Sequence, residues 1–436
     1  MGRGCTSNGA GNMRVYCETG ELEIKFSIDV EDSELGIDTR LGNKRSFGYI
    51  SKGTEFSPHP DKLALVAILN LLPFAKGELQ IMWGISKRFQ KACNSVTRVK
   101  IHSNYENISH SSTIKGGAAL SFSGGADSTA ALAVMPKTTE CVFLLRSENP
   151  GRTLYDSDAA MESCRRLNSL GYQVHIVESD FEYLRNPIGF PTDLAVGTPA
   201  ILLCDSRNFG SIAFGTILES AFGTSGKAYR DYRSSGHFRL WSALFEAAGI
   251  GYSLPVAGVS EVGSSLICER HAIGNVHQSC IRGKWGRPCE KCWKCFRKSA
   301  LLAAIRGSTD GVDYIRKIGA SKEVRRKVVE DRPIKHEGVL TYAFERIKYL
   351  ESEAFELFRD LIRVGEIQTK WMERWYSGSS DLICNSYRDE VVENLERILG
   401  RMSDDQESHL KGWENESDSE RDEKLARFCK SAGFLD

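Results

Sequence analysis

The chain lacks a surplus of charge, an export signal and an apolar run long enough to cross a bilayer. Lys plus Arg number 57, as do Asp plus Glu, so the formal net charge is zero. That balance argues against electrostatic capture of nucleic acid by the whole chain and leaves room only for a local basic patch. The opening MGRGCTSNGAGNMRV has no apolar core of the kind secretion requires. The longest mainly apolar run, Leu63 to Phe74, falls short of the about 20 residues a spanning helix needs. No internal repeat of fixed period is present. A cytoplasmic protein without a membrane partner is the expectation. Met1-Gly2-Arg3-Gly4-Cys5-Thr6 fits the loose myristoylation pattern, against which an untargeted terminus is the simpler reading.

Thirteen cysteines are present, an odd number, and most stand singly. In a reducing compartment, clustered thiols hold metal more readily than they form disulfides. With 436 residues, about two fifths of them hydrophobic, the chain is long enough for several domains with large cores.

Four regions are expected. Residues 1–112 read as an N-terminal α+β accessory module. Leu22 to Val30 alternates apolar and polar residues as a half-buried strand does, Pro58 and Pro60 precede a helical stretch Leu63–Leu72, and Glu78–Trp83 and Val96–Ile101 are further strand candidates. Residues 113–308 alternate strands (118–122, 140–145, 173–177, 211–214) with helices (128–134, 156–170, 199–205), the pattern of an α/β fold with a parallel, doubly wound sheet. Ligands bind such sheets at the carboxyl ends of the strands. Residues 309–402 read as helical. Ala343, Ile347, Leu350, Ala354 and Leu357 share one helical face, and Val391, Leu395, Ile398 and Met402 another, both most simply core-facing stripes. Residues 403–436 form an acidic tail, with nine acids against two bases from Ser403 to Glu423, expected to be solvated.

Two motifs carry chemistry. In Leu120-Ser121-Phe122-Ser123-Gly124-Gly125-Ala126-Asp127-Ser128 a strand runs into a helix through paired glycines. Glycine permits unusual backbone angles and close approach to a ligand, and N–H groups at a helix start form an anion site. Ser121, Ser123 and Ser128 add hydroxyls. Asp127 makes sense beside phosphates if it helps to hold Mg²⁺. The second motif is Cys280-(eight residues)-Cys289-Glu290-Lys291-Cys292-Trp293-Lys294-Cys295. Four thiolates suit a closed, tetrahedral Zn²⁺ site with no open catalytic position. An iron–sulfur cluster and a nucleic-acid-binding zinc ribbon are the competing readings. Arg282, Lys284, Arg287, Lys291, Lys294, Arg297 and Lys298 surround the thiols and would offset their charge. His271 and His277 are nearby alternative ligands.

The glycine loop resembles the SGGxDS loop of the PP-loop ATP pyrophosphatase superfamily. Loop and cysteine set together resemble the 7-cyano-7-deazaguanine synthase family over residues 117 to about 306. The resemblance implies a PP-loop Rossmann-like domain that binds ATP and Mg²⁺ through Ser123, Gly124, Gly125, Asp127 and Ser128. It also implies Zn²⁺ on Cys280, Cys289, Cys292 and Cys295. Phe214-Gly215-Thr216-Ile217-Leu218-Glu219 is similar to the family's strand–glycine–acid segment, which makes Glu219 a candidate catalytic residue for metal or amine. Ser279-Cys280 matches its Ser-Cys pair. Arg146-Ser147-Glu148-Asn149 and Val259-Ser260-Glu261-Val262 depart from the family pattern, the latter lacking its usual lysine. The family uses ATP and ammonia to convert 7-carboxy-7-deazaguanine to an amide and then a nitrile. Enlarged relatives resemble proteins of bacterial antiphage operons, where a protein amine is thought to replace ammonia. The expected partners are therefore a small carboxylate substrate and a protein acceptor encoded nearby, with a homodimer as the alternative use of the added regions. Arg207 and Lys227 are candidate substrate-binding cations. A PP-loop epimerase acting on a muramyl-peptide glutamate fits in part. A non-catalytic nucleic-acid-binding or scaffold protein is the alternative from another class.

Overall fold

The computed structural model describes residues 12–30, 40–103, 108–113, 115–147, 155–225, 228–308, 311–330, 334–347 and 353–414, together with 423 and 427. Ahead of the glycine loop lie β1 (Asn12–Thr19), β2 (Glu23–Val30), β3 (Ser46–Ser51), α1 (Pro60–Leu71), β4 (Glu78–Ile81), α2 (Lys87–Val96) and β5 (Lys100–Ser103). Next come β6 (Gly117–Phe122), α3 (Ala126–Val134), β7 (Glu140–Arg146), α4 (Asp158–Ser169), β8 (Val174–Ser179), α5 (Thr198–Arg207) and β9 (Phe209–Phe214). They are followed by α6 (Leu218–Ala221), α7 (Gly236–Ala247), β10 (Gly251–Ser253), α8 (Glu261–Arg270) and α9 (Trp293–Arg306). The remainder is helical: α10 (Val312–Gly319), α11 (Lys322–Glu330), α12 (Glu337–Arg346), α13 (Glu353–Leu361), α14 (Arg388–Leu399) and α15 (Asp404–Lys411).

Among the described residues, ten strands join one mixed sheet in the order β10-β9-β6-β7-β8-β3-β2-β1-β4-β5. The strands β6 to β10 are mutually parallel, with Leu120 at the centre opposite Cys141 on one side and Ala213 on the other. Their sequence runs outward from β6 through β7 to β8, then returns to the far side of β6 for β9 and β10. The order therefore reverses between β6 and β9, and the crevice at the carboxyl ends beside such a reversal is where open α/β sheets take ligands. The glycine loop leaves β6 there, and Gly215–Glu219 leaves β9 beside it.

The N-terminal strands extend this same sheet. Tyr49 of β3 lies opposite Ser179 of β8 in an antiparallel pair. Its fully buried hydroxyl lies 2.9 Å from Thr198 Oγ1 at the start of α5 and accepts from Asn70 Nδ2 of α1 at 2.9 Å. Met13 and Val15 of β1 and Ile24, Phe26 and Ile28 of β2 point inward, as period-two alternation requires. The helix α1 is buried from Asp61 to Leu71. Its Asp61 carboxylate is satisfied by the N–H groups of Ser86 and Ser111 and by the Ser86 hydroxyl.

Several boundaries differ from the sequence expectation. The strand expected over Val96–Ile101 starts at Lys100, because Ser86 caps α2 at Phe89 N–H and that helix runs on to Val96. The stripe Ala343–Leu357 is divided between α12 and α13, with Ile347 extended at the end of α12; Leu350 and the side chains of Ala354 and Leu357 lie outside the described residues. Residues 403–414, expected to be solvated, are folded. Ser403 and Gln406 form a reciprocal cap on α15, and Leu410 and Trp413 are buried. Beyond 414 the acidic tail lies outside the described residues except at 423 and 427, as do the 1–6 segment and Lys227. Among the described residues no helix is long and apolar enough to cross a membrane.

Candidate functional site: a glycine loop beside a four-cysteine knuckle

The loop takes the form its glycines predict. Gly124 has φ +74°, and a Cβ there would lie 3.1 Å from the Ala160 Cα of α4, so both backbone and space call for glycine. Gly125 is the N-cap of α3 and supplies no side-chain cap. A Cβ on Gly215 would sit 2.8 Å from the Ser128 nitrogen, so the end of β9 passes directly over the start of that helix. Ser128 Oγ donates to the Gly125 carbonyl at 3.1 Å and lies 3.0 Å from Ser123 Oγ. Ser121 stands below the loop, on the strand, and donates to the Val196 carbonyl at 3.0 Å.

Asp127 is held by residues far along the chain. Ser264 Oγ of α8 donates to its Oδ1 at 2.9 Å, and Lys298 Nζ of α9 lies 3.4 Å from the same oxygen. Lys298 also lies 3.0 Å from Glu261 Oε1. Glu261, almost wholly buried, further receives Arg297 Nε at 2.9 Å and lies 3.1 Å from His336 Nδ1. Burial alone would raise the Glu261 carboxyl, but Arg297, Lys298 and His336 outweigh it and hold the group well below the usual carboxylate range. Burial likewise opposes the charge of Lys298, and Asp127 and Glu261 overcome it and hold the ammonium above its ordinary value.

Glu219 is buried beneath this network instead of opening on the crevice. Both its carboxylate oxygens accept the Glu261 N–H, at 2.8 and 3.0 Å. With Ser260 Oγ accepting the Gly263 N–H at 3.0 Å, the first turn of α8 is capped from two sides. Burial, then the neighbouring Glu261 charge, pushes the Glu219 carboxyl up to about 8. Glu219 thus caps α8, the helix that also carries Ser264.

The four cysteines converge: their sulfurs all lie within 4.8 Å of one another, with Cys289 and Cys295 at 3.8 Å. A tetrahedron with Zn–S bonds of about 2.3 Å has edges of about 3.8 Å, so the donor set suits a zinc ion. The Cys289 N–H points to Cys280 sulfur at 3.3 Å and the Cys295 N–H to Cys292 sulfur at 3.4 Å, which stabilises thiolates. His271 and His277 are not members of the cluster. Of the surrounding cations, Arg297 and Lys298 turn away from the thiols to Glu261 and Asp127, and Arg282 pairs with Glu323 at 2.6 Å. Charge compensation of the thiols by these three, as the sequence suggested, is therefore shared with carboxylates. The knuckle is packed into a second apolar core, in which Phe296 meets Phe344 and Phe358 of the C-terminal helices.

Knuckle and loop are joined. Gln278 N–H donates to the Gly124 carbonyl at 3.0 Å, and Ala126 N–H to Ser279 Oγ at 3.3 Å. Between them lies a cavity of about 180 Å³ bounded by Ala126, His277, Lys298, Leu302 and Tyr314. Arg207 is elsewhere: it pairs with Glu140 at 3.0 Å, at the amino end of β7. The sequence reading passed over Ser264, Glu261 and His336 and took Lys298 for a thiol counter-ion. Their one linear signal is that Lys298 lies on α9 three residues, about one turn, after Cys295.

A family model described as "Family of unknown function (DUF6395)" matches residues 240–414. That span includes Glu261, the knuckle and Lys298 and leaves out the glycine loop and Glu219. No curated protein and no solved structure matches the chain.

Proposed function

We propose that the chain binds ATP at Ser123–Ser128, cleaves it between the α and β phosphates and uses the energy to activate a carboxylate for amide formation. The observation that carries this reading is the loop's position. A glycine turn and an α-helix N-terminus whose N-cap is the bare Gly125 lie at the carboxyl edge of the central strand, where the strand order reverses, and Lys298 is brought beside them. Such a helix start favours anions through its dipole and its N–H groups, three of which, those of Ser123, Gly125 and Ala126, now donate to serine hydroxyls that an anion would displace.

Asp127 is the carboxylate available to a divalent cation, its side chain 37% exposed. Mg²⁺ commonly takes one or two carboxylates and completes its shell with substrate phosphates and water, so a single aspartate fits. When bound, the ion neutralises charge developing on the phosphates. The chain's own residues do the rest. The loop N–H groups hold phosphate oxygens, Ser264 fixes the Asp127 rotamer, and Lys298 supplies a cation beside the phosphates. A substrate carboxylate oxygen attacks the α-phosphorus, the bond to the bridging oxygen breaks and pyrophosphate leaves. An amine nitrogen then attacks the acyl carbon, AMP departs and the amine proton passes to solvent. The zinc knuckle is structural in this account: it presents α9, and with it Lys298, to the loop.

The substrate reading rests on the family resemblance of the loop and cysteine set: 7-carboxy-7-deazaguanine, with ammonia or a protein amine as acceptor. It is tested by incubating the protein with ATP, Mg²⁺ and that acid, with ammonium or with the products of neighbouring genes, and resolving the products by mass spectrometry. AMP with an amide, a nitrile or a protein adduct supports it. ATP cleavage that no carboxylate stimulates would overturn it.

A further inference from the structure

We infer that Lys298 occupies the place of the divalent cation at Asp127, so that metal enters this site together with the nucleotide and not ahead of it. The inference rests on reading the loop as a triphosphate site. Lys298 Nζ and Ser264 Oγ both meet Asp127 on Oδ1, at 3.4 and 2.9 Å, so the loop's own carboxylate already has a positive partner. Among the described residues, the only group of three or more close potential metal ligands is the four-cysteine set. A free cation arriving at Asp127 would meet a single carboxylate already facing an ammonium.

The two contacts of Lys298 are unequal. Its 3.0 Å contact to Glu261 is of ordinary hydrogen-bond length, and the 3.4 Å contact to Asp127 is long. Glu261 is 1% exposed and also held by Arg297, whereas Asp127 is partly open to solvent. Lys298 can therefore leave Asp127 and keep a counter-ion. A triphosphate supplies what the exchange needs, namely negative charge for the released ammonium and oxygen ligands for the metal.

Mn²⁺, followed by electron paramagnetic resonance, is the probe, with and without a non-hydrolysable ATP analogue. Wild-type protein is expected to bind Mn²⁺ weakly alone and at least about tenfold more tightly with the analogue. Lys298→Met is expected to bind Mn²⁺ alone about tenfold more tightly than wild type. Adding Asp127→Asn to it should abolish the gain, and Lys298→Arg, which keeps the charge, should bind Mn²⁺ alone as weakly as wild type. A tight nucleotide-free site at Asp127 in the wild type overturns the inference whether or not Lys298→Met folds. So does equal Mn²⁺ affinity in wild type and a folded, zinc-replete Lys298→Met. Analogue binding is scored separately: a wild type that does not bind the analogue refutes the loop reading itself, whereas normal analogue binding with unchanged Mn²⁺ behaviour refutes only the role of Lys298.

Discussion

Gln278 donates its backbone N–H to the carbonyl of Gly124 at 3.0 Å. The residue two places before the first knuckle cysteine is thereby bonded to the one loop glycine with a left-handed backbone. The four-cysteine knuckle and the glycine loop are thus bonded to each other, although well separated in sequence.

Loss of metal is therefore expected to damage the loop as well as the knuckle. Purified protein should carry one zinc per chain by elemental analysis and no iron. A strong chelator should lower the melting temperature and deprotect amides of 278–298 and 123–128 together in hydrogen exchange, because site and fold form together. Deprotection of the knuckle with an unchanged loop would contradict the coupling.

Gly124→Ala tests the loop backbone. A left-handed φ in a non-glycine residue costs about 1–3 kcal/mol, and the new methyl presses on Ala160. The expectation is a modest fall in stability on chemical unfolding and a loss of nucleotide binding far larger than that fall implies, read by calorimetry.

Phe344→Ala tests whether the C-terminal helices hold the knuckle. Phe344 is 1% exposed, with ring centroids 5.0 Å from Phe358 and 6.1 Å from Phe296. Removing such a buried ring typically costs about 3–5 kcal/mol. Zinc should be released to a chromogenic chelator faster than from wild type, since Phe296 follows Cys295 directly.

The pH dependence of Glu219 has a definite sign. Burial and then the neighbouring Glu261 charge push its carboxyl up to about 8 in the fold, from an ordinary 4.5. Between those values the folded state holds a proton that the unfolded state releases, so stability falls as pH rises through that window. Glu219→Gln removes this term. The variant should gain on the wild type as pH rises from about 5 to 8, by at most about 1.4 kcal/mol per pH unit, in denaturant titrations run in parallel. A constant difference across the range would show that Glu219 is ionised in the fold.

Much of the central sheet was legible from sequence. The stretch Ala118–Phe122 is a short apolar run ending in paired glycines, and a strand–turn–helix is the local solution for it. The cysteine spacing was legible for a similar reason: four thiols in one short segment have few alternatives to a shared metal. The strands β1 and β3 were missed. β1 pairs with the adjacent β2, but its alternating stretch buries only Met13 and Val15; β3 is completed by the remote β8, and its Tyr49 hydroxyl is satisfied by Asn70 and Thr198. The Asp127–Ser264–Lys298–Glu261 network was illegible because each contact joins different elements. A buried glutamate reads in sequence as a surface acid until Arg297, Lys298 and His336 are placed around it. Glu219 shows the converse, a residue found by its place after a strand whose carboxylate caps a helix.

Cleavage at the α-phosphate is the central claim, and the exchange of labelled pyrophosphate into ATP measures it most directly. In the presence of Mg²⁺ and 7-carboxy-7-deazaguanine, without amine, wild-type protein is predicted to return label to ATP. Asp127→Ala should lose at least about a hundredfold in rate, on the scale of removing one charge-stabilising group, while retaining its zinc and its fold. Acid-dependent exchange that survives unchanged in a folded Asp127→Ala, or its absence from wild type with every carboxylate tried, would contradict the account.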